Sequence, residues 1–263
     1  MRIGFLQFRP VFGEPDRNCR AVVRLLRDVH ADLVVLPELA FSGYYFAGRA
    51  EARALSEDPR KSLVVASLVD LCRERELHLV TGFAERARDR VFNSALLLGP
   101  RGLVRVYRKL HLFNEEKRWF DPGDLPLEVS AVRGVRVGMM VCFDWIFPEV
   151  ARTLALDGMQ VLAHPSNLVL DLCQRAMFAR TVENAVFAVT ANRCGQDLRP
   201  HGTLRFTGAS QILGPKGELV YRAPTRGACL HVAEIDPARA RNKRLTRRND
   251  LLADRRPAFY TLR

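Results

Sequence analysis

The sequence predicts an α/β fold in which two mixed β-sheets pack face to face, with helices on their outer sides. Apolar runs with strand character recur along the 263 residues, and amphipathic helical patterns separate some of them. In addition, two apolar strands are each followed by a Gly-Pro-x-Gly turn, at 99–102 and 214–217. Strands that are apolar on both faces need cover on both sides, which paired sheets and outer helices provide.

Ten stretches have the apolar and β-branched character of strands. They are 3–8, 33–36, 77–83, 94–98, 103–107, 135–141, 161–163, 186–191, 208–213 and 229–235. Helical spacing of apolar residues predicts helices over 18–29, 62–71 and 172–185, and a further helix that opens at Pro148. The stretches 91–107 and 208–235 predict hairpins around the two repeated turns. This repetition predicts an architecture of two similar halves.

Length and composition narrow the class of protein. The chain suits one large α/β domain or two small ones, and no linker divides it, so we predict a single domain over 1–263. No apolar run approaches the ~20 residues of a membrane span, and the first residues have a strand pattern rather than a signal-peptide layout. We therefore expect a cytoplasmic protein. The six cysteines are dispersed without a C-x-x-C pair, which predicts neither a zinc site nor a disulfide framework.

The formal net charge of +12 raises the question of an acidic partner. Basic residues are spread along the chain, and the one real cluster lies at 239–248. No aromatic residues interleave with this cluster, as a stacking platform for single-stranded nucleic acid would require. We therefore expect neither nucleic acid nor a membrane as a partner.

An ionisable residue follows an apolar strand at three places. Glu38 follows the run 33–36, Lys109 follows 103–107, and Cys142 follows 135–141, where a strand turns into a helix. If these strands lie side by side, their ends bring a carboxylate, an ammonium and a thiol together. That set supplies the nucleophile, the base and the positive charge that acyl transfer needs.

The sequence around these residues resembles the nitrilase superfamily of carbon–nitrogen hydrolases. The resemblance extends over essentially the whole chain, and it is closest to small thermostable nitrilase-like and amidase-like enzymes. The segments that carry it are Pro37-Glu38-Leu39, 107–113, 116–124, 141–149, His164-Pro165-Ser166-Asn167, 180–184 and 206–210. It implies a four-layer αββα sandwich and a Glu-Lys-Cys triad with a further glutamate, and it implies no metal or other cofactor.

Carried over residue by residue, the resemblance implies that Cys142 is the nucleophile and Glu38 the general base. Lys109 would stabilise the tetrahedral oxyanion together with the backbone N–H of Phe143, and Glu116 would orient Lys109 and the substrate. The product sequence would be a thioester acyl-enzyme, release of ammonia or an amine, and hydrolysis to a carboxylic acid. Beside two carboxylates the lysine should stay protonated, and its charge should lower the pKa of the thiol.

The substrate pocket is predicted from neighbouring residues. We expect it to include Tyr44, Trp145, His164, Ser166 and Asn167, while Asp144 caps or braces the turn of the nucleophile.

The residues after the cysteine suggest the type of acyl group. Relatives that act on carboxylate-bearing amides commonly carry an arginine three or four places after the cysteine, whereas this chain has Trp145 and Ile146. We therefore expect an acyl group without a carboxylate, although Arg175 or Arg193 could still reach the pocket.

An amide substrate is favoured because true nitrilases usually carry glutamate two places after the cysteine, where this chain has Asp144. The alternatives are an aliphatic nitrile, which the likeness to thermostable nitrilases favours, and an N-carbamoyl amine. Two further alternatives belong to other classes. One is a basic binding protein on a hydrolase scaffold that has lost its activity, against which the intact triad argues; the other is a glutaminase-type subunit.

The resemblance also implies a homodimer or a higher homo-oligomer. Pairing would use the apolar faces of 147–156 and 172–187, and the tail at about 240–263 would pack on the partner subunit.

Overall fold

The computed structural model describes residues 1–260; the last three residues of the predicted tail, 261–263, lie outside the described residues. The first sheet has six strands. In spatial order they are β14 (Cys229–Glu234), β1 (Arg2–Gln7), β2 (Leu33–Val35), β3 (His78–Ala87), β4 (Arg90–Gly99) and β5 (Gly102–Arg108). Strands β1, β2 and β3 run parallel, and the other neighbours pair antiparallel.

The second sheet also has six strands. In spatial order the strands are β13 (Leu219–Arg222), β12 (Gln211–Leu213), β9 (Phe187–Asn192), β8 (Val161–Ser166), β7 (Val135–Met139) and β6 (Ser130–Val132). Strands β7, β8 and β9 are parallel. Between strands β9 and β12 in the sequence lies a separate two-stranded hairpin. It consists of β10 (Cys194–Arg199) and β11 (Gly202–Thr207).

The two sheets have the same plan, as the repeated turns predicted. Each contains a parallel trio with antiparallel neighbours, and the hairpins β4–β5 and β12–β13 occupy matching edges. Part of the hairpin prediction over 208–235 is wrong, because β14 leaves the second sheet and pairs antiparallel with β1. The sequence patterns also missed β10 and β11, whose mixed polar residues remain largely outside the core.

Residues 1–260 form six α-helices. They are α1 (Pro15–Leu26), α2 (Arg49–Ala54), α3 (Leu63–Arg75), α4 (Glu116–Trp119), α5 (Pro148–Leu156) and α6 (Cys173–Asn184). Of these, α1, α3, α5 and α6 lie on the outer sides of the sheets. Helix α1 begins three residues before its predicted start because Pro15 at its first turn has a backbone angle already suited to a helix. At α3 the Ser62 side chain accepts a hydrogen bond from Val65 N at 3.3 Å, which satisfies an otherwise unpaired donor of the first turn.

The main core lies between the sheets. Ile3, Phe5 and Val35 from the first sheet are fully buried with Val161 and Val189 from the second. A second core lies between the first sheet and helices α1 and α3, while α5 and α6 contribute buried residues on the outer side of the second sheet. The predicted αββα sandwich is confirmed.

Three strand ends converge on one edge of the sandwich. Glu38 follows β2 and Lys109 follows β5, two strands of the first sheet that β3 and β4 separate, whereas Cys142 follows β7 in the second sheet. The three strands therefore do not lie side by side, which was the condition under which their ends were expected to meet. The residues meet because the sheets pack face to face, which lets strand ends from both sheets share one edge. No helix in residues 1–260 is long and apolar enough to cross a membrane.

Candidate active site

Cys142 occupies a strained corner between strand and helix. It opens a short 3₁₀ turn, Cys142–Ile146, and α5 begins only at Pro148. Its φ of +42° is in the left-handed region, which costs a residue with a side chain about 1–3 kcal/mol unless its surroundings enforce it. Two contacts enforce it here: His164 Nε2 donates to the Cys142 carbonyl at 2.9 Å, and Val141 N donates to Asp144 Oδ2 at 2.9 Å.

Glu38 is fully buried and uses its two carboxylate oxygens differently. Oε1 accepts hydrogen bonds from Lys109 Nζ and Asn93 Nδ2, both at 2.7 Å. Oε2 is buried and has no hydrogen-bond partner among residues 1–260. The backbone is fixed as well, since Asn167 Nδ2 donates to the Glu38 carbonyl at 2.9 Å. One carboxylate oxygen is thus held in place and the other is left as a free acceptor.

Lys109 lies between two buried carboxylates. Its Nζ is 2.7 Å from Glu38 Oε1 and 2.8 Å from Glu116. Burial lowers the pKa of Lys109, but the charges of Glu116 and Glu38 outweigh it, so its pKa is raised above the ordinary lysine value. The ammonium is therefore protonated at neutral pH, as predicted.

Glu116 begins α4, and its side chain is anchored from two sides. Oε1 accepts the Tyr44 hydroxyl at 2.6 Å, and Oε2 accepts Phe113 N at 3.2 Å. Burial raises the pKa of Glu116, while the charge of Lys109 opposes that rise. Tyr44 and Phe113 together fix the carboxylate that faces the lysine.

The prediction that Lys109 would lower the thiol pKa is wrong in its net effect. The pKa of Cys142 is raised well above its ordinary value, first by burial and then by the charge of Glu38; the lysine opposes this rise without cancelling it. A thiol that is buried, as Cys142 is, loses the hydration that would stabilise a thiolate. Cys142 is therefore a neutral thiol at rest and needs a base to become a nucleophile.

A small cavity of about 70 Å³ opens onto Cys142. Its lining is mainly apolar and consists of Phe113, Cys142, Phe143, Trp145, Ile146, Asn167, Leu168, Val169, Leu170 and Leu172. Larger depressions lie elsewhere on the described surface, for example about 360 Å³ beside Arg86 and Arg88. None of the residues that line that depression is Glu38, Lys109 or Cys142, so the smaller cavity is the one that matters for the thiol.

The five residues expected around the substrate occupy two different places. Trp145 and Asn167 line the cavity. The other three do not belong to its lining: Tyr44 donates to Glu116, His164 contacts the Cys142 carbonyl, and Ser166 Oγ lies 3.1 Å from His164 Nε2.

His164 is a neutral residue that supports the turn from behind. Burial lowers its pKa to about 4. Because the Cys142 carbonyl can only accept, Nε2 carries the proton, and Nδ1 accepts from the Thr190 hydroxyl at 3.1 Å.

Asp144, Phe143 and Asn93 complete the site. Asp144 braces the turn, as predicted, through its bond to Val141 N. Within residues 1–260 the Phe143 N–H has no hydrogen-bond acceptor. Sequence reasoning missed Asn93, although this amide lies at the start of the predicted hairpin 91–107, beside the apolar strand 94–98, where a buried amide needs a hydrogen-bond partner.

The described residues contain no group of three or more His, Cys, Asp or Glu side chains arranged to hold a metal ion. The chemistry that the arrangement offers is that of a thiol beside a free carboxylate oxygen and a fixed ammonium. A neutral thiol can lose its proton to such an oxygen, and the ammonium can face the negative charge that forms on an attacked carbonyl.

Comparison with known proteins agrees with this geometry. The family model described as carbon-nitrogen hydrolase matches residues 3–245. A nitrilase from Pyrococcus abyssi is 41% identical over 263 residues, covering 99% of each chain. An (R)-stereoselective amidase from a Pseudomonas species is 37% identical over 229 residues, covering 86% of this chain and 80% of the relative.

Solved structures give the same result. The crystal structure of a carbon-nitrogen hydrolase from Helicobacter pylori superposes with a TM-score of 0.87 and 25% identity, covering 99% of this chain and 97% of that one. The resemblance inferred from the motifs is confirmed. This chain belongs to the carbon–nitrogen hydrolase family and is an enzyme that hydrolyses carbon–nitrogen bonds other than peptide bonds.

Proposed function

We propose that the enzyme hydrolyses small amides through a thioester on Cys142. The observation that carries this proposal is the difference between the two carboxylate oxygens of Glu38. Its Oε1 is held by Lys109 and Asn93, while its buried Oε2 has no partner within residues 1–260. A buried carboxylate oxygen without a donor is costly to maintain, and a proton arriving from the substrate reaction would satisfy it.

Acylation begins when Glu38 takes the thiol proton and the Cys142 sulfur attacks the amide carbon. The S–C bond forms, and the C=O π electrons move to the oxygen. Lys109 and the Phe143 N–H face this oxyanion, a role that the protonated lysine and the unoccupied N–H support. The oxyanion then collapses, the C–N bond breaks, and the nitrogen leaves as ammonia or an amine with the proton held by Glu38.

Deacylation repeats the sequence with water. Glu38, again a carboxylate, takes a proton from a water molecule that attacks the thioester carbon. The C–S bond breaks after a second oxyanion at the same place, the thiolate regains its proton from Glu38, and the carboxylic acid leaves. Glu116, held by Tyr44 and Phe113, keeps the lysine oriented in both halves.

The cavity supports a short acyl group without a carboxylate. The cavity has a volume of about 70 Å³, its lining is mainly apolar, and no charged side chain belongs to it. Neither arginine left open by the sequence lines the cavity: Arg175 is exposed, and Arg193 is buried in an ion pair with Asp197. An unpaired carboxylate in such a place would lose its hydration without compensation.

Nitrile hydrolysis is the second candidate. The specific observation for it is the nitrilase of Pyrococcus abyssi, which is 41% identical over its full length. A nitrile would use the same groups: the thiol would add to the nitrile carbon to give a thioimidate, one water molecule would convert this to the thioester with release of ammonia, and a second water molecule would release the acid. An N-carbamoyl amine remains a third possible substrate on the same chemistry.

The decisive experiment combines activity with intact-protein mass spectrometry. Propionamide, propionitrile, N-carbamoylputrescine and an N-carbamoyl amino acid are offered in parallel, with release of ammonia as the readout. We expect ammonia from propionamide. We also expect a propionyl adduct on the protein, a mass increase of about 56 Da because the acyl group replaces one hydrogen, and Cys142→Ala should abolish it. The control Cys229→Ala, at a half-buried thiol on β14, should keep full turnover. Ammonia release by the Cys142→Ala variant would overturn the mechanism.

We also infer that the enzyme is a homo-oligomer. Leu156 on α5 and Phe178 on α6 are large apolar side chains that are about half exposed, at 47% and 54%, on the two segments that the sequence predicted for pairing. The basic cluster is partly engaged within the chain, since Lys243 Nζ donates to the carbonyls of Asn184 and Ala185 at the end of α6. Light scattering at micromolar concentration tests the assembly, and a monomer mass would refute it. The cytoplasmic location stays a prediction.

A further inference from the structure

Asp144 is a fully buried carboxylate that accepts four hydrogen bonds. Oδ2 accepts from the Tyr107 hydroxyl at 2.7 Å and from Val141 N at 2.9 Å. Oδ1 accepts from His111 N at 3.1 Å and faces His111 Nδ1 at 2.8 Å. Each carboxylate oxygen therefore serves two donors.

These donors lie close in sequence to Lys109 and Cys142, two residues of the proposed mechanism. Tyr107 and His111 stand two places before and two places after Lys109, and Val141 directly precedes Cys142. The lysine segment continues from β5 of the first sheet, whereas the cysteine turn follows β7 of the second. One carboxylate thus joins the two segments across the sheets and holds the lysine segment on both sides.

Other contacts tie each segment to its own sheet. Lys109 N donates to the Asn93 carbonyl of β4 at 2.9 Å, and the Cys142 carbonyl accepts from His164 of β8 at 2.9 Å. These bonds fix the lysine and the cysteine separately. Aromatic contacts of His111 with Phe147 and of Phe113 with Phe143 also join the two segments, but among the hydrogen bonds of residues 1–260 it is those of Asp144 that relate one segment to the other.

We propose that Asp144 is a positioning residue that sets the place of the Lys109 ammonium relative to the Cys142 sulfur. This inference rests on the proposed function, in which the ammonium meets the oxygen only after the sulfur has attacked. A misplacement of about 1 Å can cost about 10²-fold in rate, so a link between the two segments matters more for the tetrahedral state than for the bound planar amide.

The chemistry of the link requires a carboxylate. Both oxygens of Asp144 face donors, and an asparagine would turn an amide NH₂ group toward two of them whichever way it is oriented. Asp144→Asn therefore keeps the shape and loses at least two of the four bonds. Tyr107→Phe is the milder variant, because it removes one of the four donors to Asp144 and, besides that, only a long contact of 3.4 Å in which the hydroxyl accepts from Leu110 N.

The test uses propionaldehyde as a probe of the tetrahedral state. The thiol of Cys142 adds to the aldehyde carbon, the S–C bond forms, and the thiol proton is transferred to the oxygen or to Glu38. The adduct protects Cys142 from iodoacetamide, which peptide mass spectrometry measures without any turnover. Butanone, a planar ketone of similar size that has no leaving group and adds thiols weakly, reports in the same assay on binding of the planar ground state.

For Asp144→Asn we expect the half-protecting concentration of propionaldehyde to rise about 10²-fold, while that of butanone changes less than about threefold. Tyr107→Phe should give a smaller change of the same kind, and it keeps the inference testable if the first variant fails to fold. The control is Gln160→Glu, the reverse amide exchange at the start of β8, where Gln160 accepts from Arg136 N at 3.0 Å and donates to the Pro237 carbonyl at 2.9 Å. It should change neither concentration.

Equal weakening of both probes by Asp144→Asn, or no weakening, would overturn the positioning role while leaving the proposed function intact. One other result would contradict both the positioning role and the proposed function. If propionaldehyde fails to protect Cys142 of the wild-type enzyme, the cysteine does not form the tetrahedral adduct that the proposed function requires.

Discussion

A β-carbon added at Gly82 would lie 2.3 Å from the α-carbon of Glu38. Gly82 is part of β3, and the segment that carries Glu38 crosses it in direct contact. Gly82 N donates to the Pro37 carbonyl at 3.0 Å, and Ala40 N donates to the Gly82 carbonyl at 3.3 Å. The backbone of Glu38, the proposed general base, thus packs directly against β3, and this close approach is possible only because residue 82 has no side chain.

Gly82→Ala should therefore impair catalysis through Glu38. The added methyl group must push the Glu38 backbone aside, and overpacking of this kind costs about 1–3 kcal/mol of stability. We expect kcat to fall about 10²-fold, since the carboxylate leaves its place beside Lys109 and Cys142. Gly48→Ala is the matched control, because a β-carbon there meets no atom within 4 Å. If a folded Gly82→Ala enzyme keeps wild-type kcat, the close approach has no functional meaning.

Tyr44→Phe should lower kcat with little effect on KM. The change removes the 2.6 Å bond to Glu116 Oε1 and keeps the aromatic contacts with Trp119 and Phe206, at 6.0 and 5.9 Å between ring centres. We expect a loss of about tenfold in kcat, and a larger loss of about 10²-fold for Glu116→Gln, which removes a charge beside Lys109.

Steady-state kinetics on propionamide measures both variants of this pair. Tyr45→Phe is the control, since the Tyr45 hydroxyl lies at the surface, 3.5 Å from the His201 carbonyl. A Tyr44→Phe enzyme that raises KM at unchanged kcat would show that Tyr44 contacts the substrate rather than Glu116.

The sequence predicted the sandwich and the candidate residues because both depend on local signals. Apolar strands, repeated turns and an ionisable residue after each of three strands are visible within short windows. It did not predict how the strands are arranged in the sheets. The return of β14 to the first sheet joins residues 2–7 with 229–234, a pairing that no local pattern encodes.

The ionisation state of Cys142 was also beyond local signals. A lysine next to a cysteine suggests a lowered thiol pKa, but the sequence does not show how deeply the thiol is buried. In the structure burial and the charge of Glu38 outweigh Lys109. The same holds for Gly82, which is one glycine among 17 in the sequence until the fold brings it against Glu38.

His164 should make the protein less stable in mild acid. Burial lowers its pKa from 6.5 to about 4, so between these values the unfolded chain binds a proton that the folded enzyme does not. The contribution of the neutral imidazole to the free energy of unfolding is therefore fully present above pH 6.5, and it is lost as the pH falls toward 4. The total loss is about 3 kcal/mol for a shift of this size.

Urea unfolding at a series of pH values from 7 to 4 measures this loss. In His164→Gln the pH-dependent loss should be smaller by that amount, because glutamine does not titrate there, although its stability at pH 7 will be lower. His30→Gln, at an exposed histidine, should leave the wild-type slope unchanged. Parallel slopes in wild type and His164→Gln would contradict the buried neutral imidazole.

The acyl cavity should select substrates by size and charge. The cavity is small, at about 70 Å³, and its lining is mainly apolar, so methylene groups that do not fit it lose binding energy. We expect kcat/KM for propionamide to exceed that for hexanamide at least tenfold (about 1–3 kcal/mol per misfitted methylene). Succinamate, whose carboxylate would enter an apolar lining, should be a poorer substrate than butyramide of similar length.

Leu168→Ala tests the cause of this selection. Leu168 is buried at 4% exposure and lines the cavity, so its truncation lengthens the space available to the acyl chain. The variant should narrow the preference for propionamide over hexanamide while still rejecting succinamate, because no charge is introduced. Arg175→Ala, at an exposed residue outside the lining, should alter neither ratio. If Arg175→Ala selectively slows succinamate, the arginine reads the acyl group, and the substrate class proposed for this enzyme must include carboxylate-bearing amides.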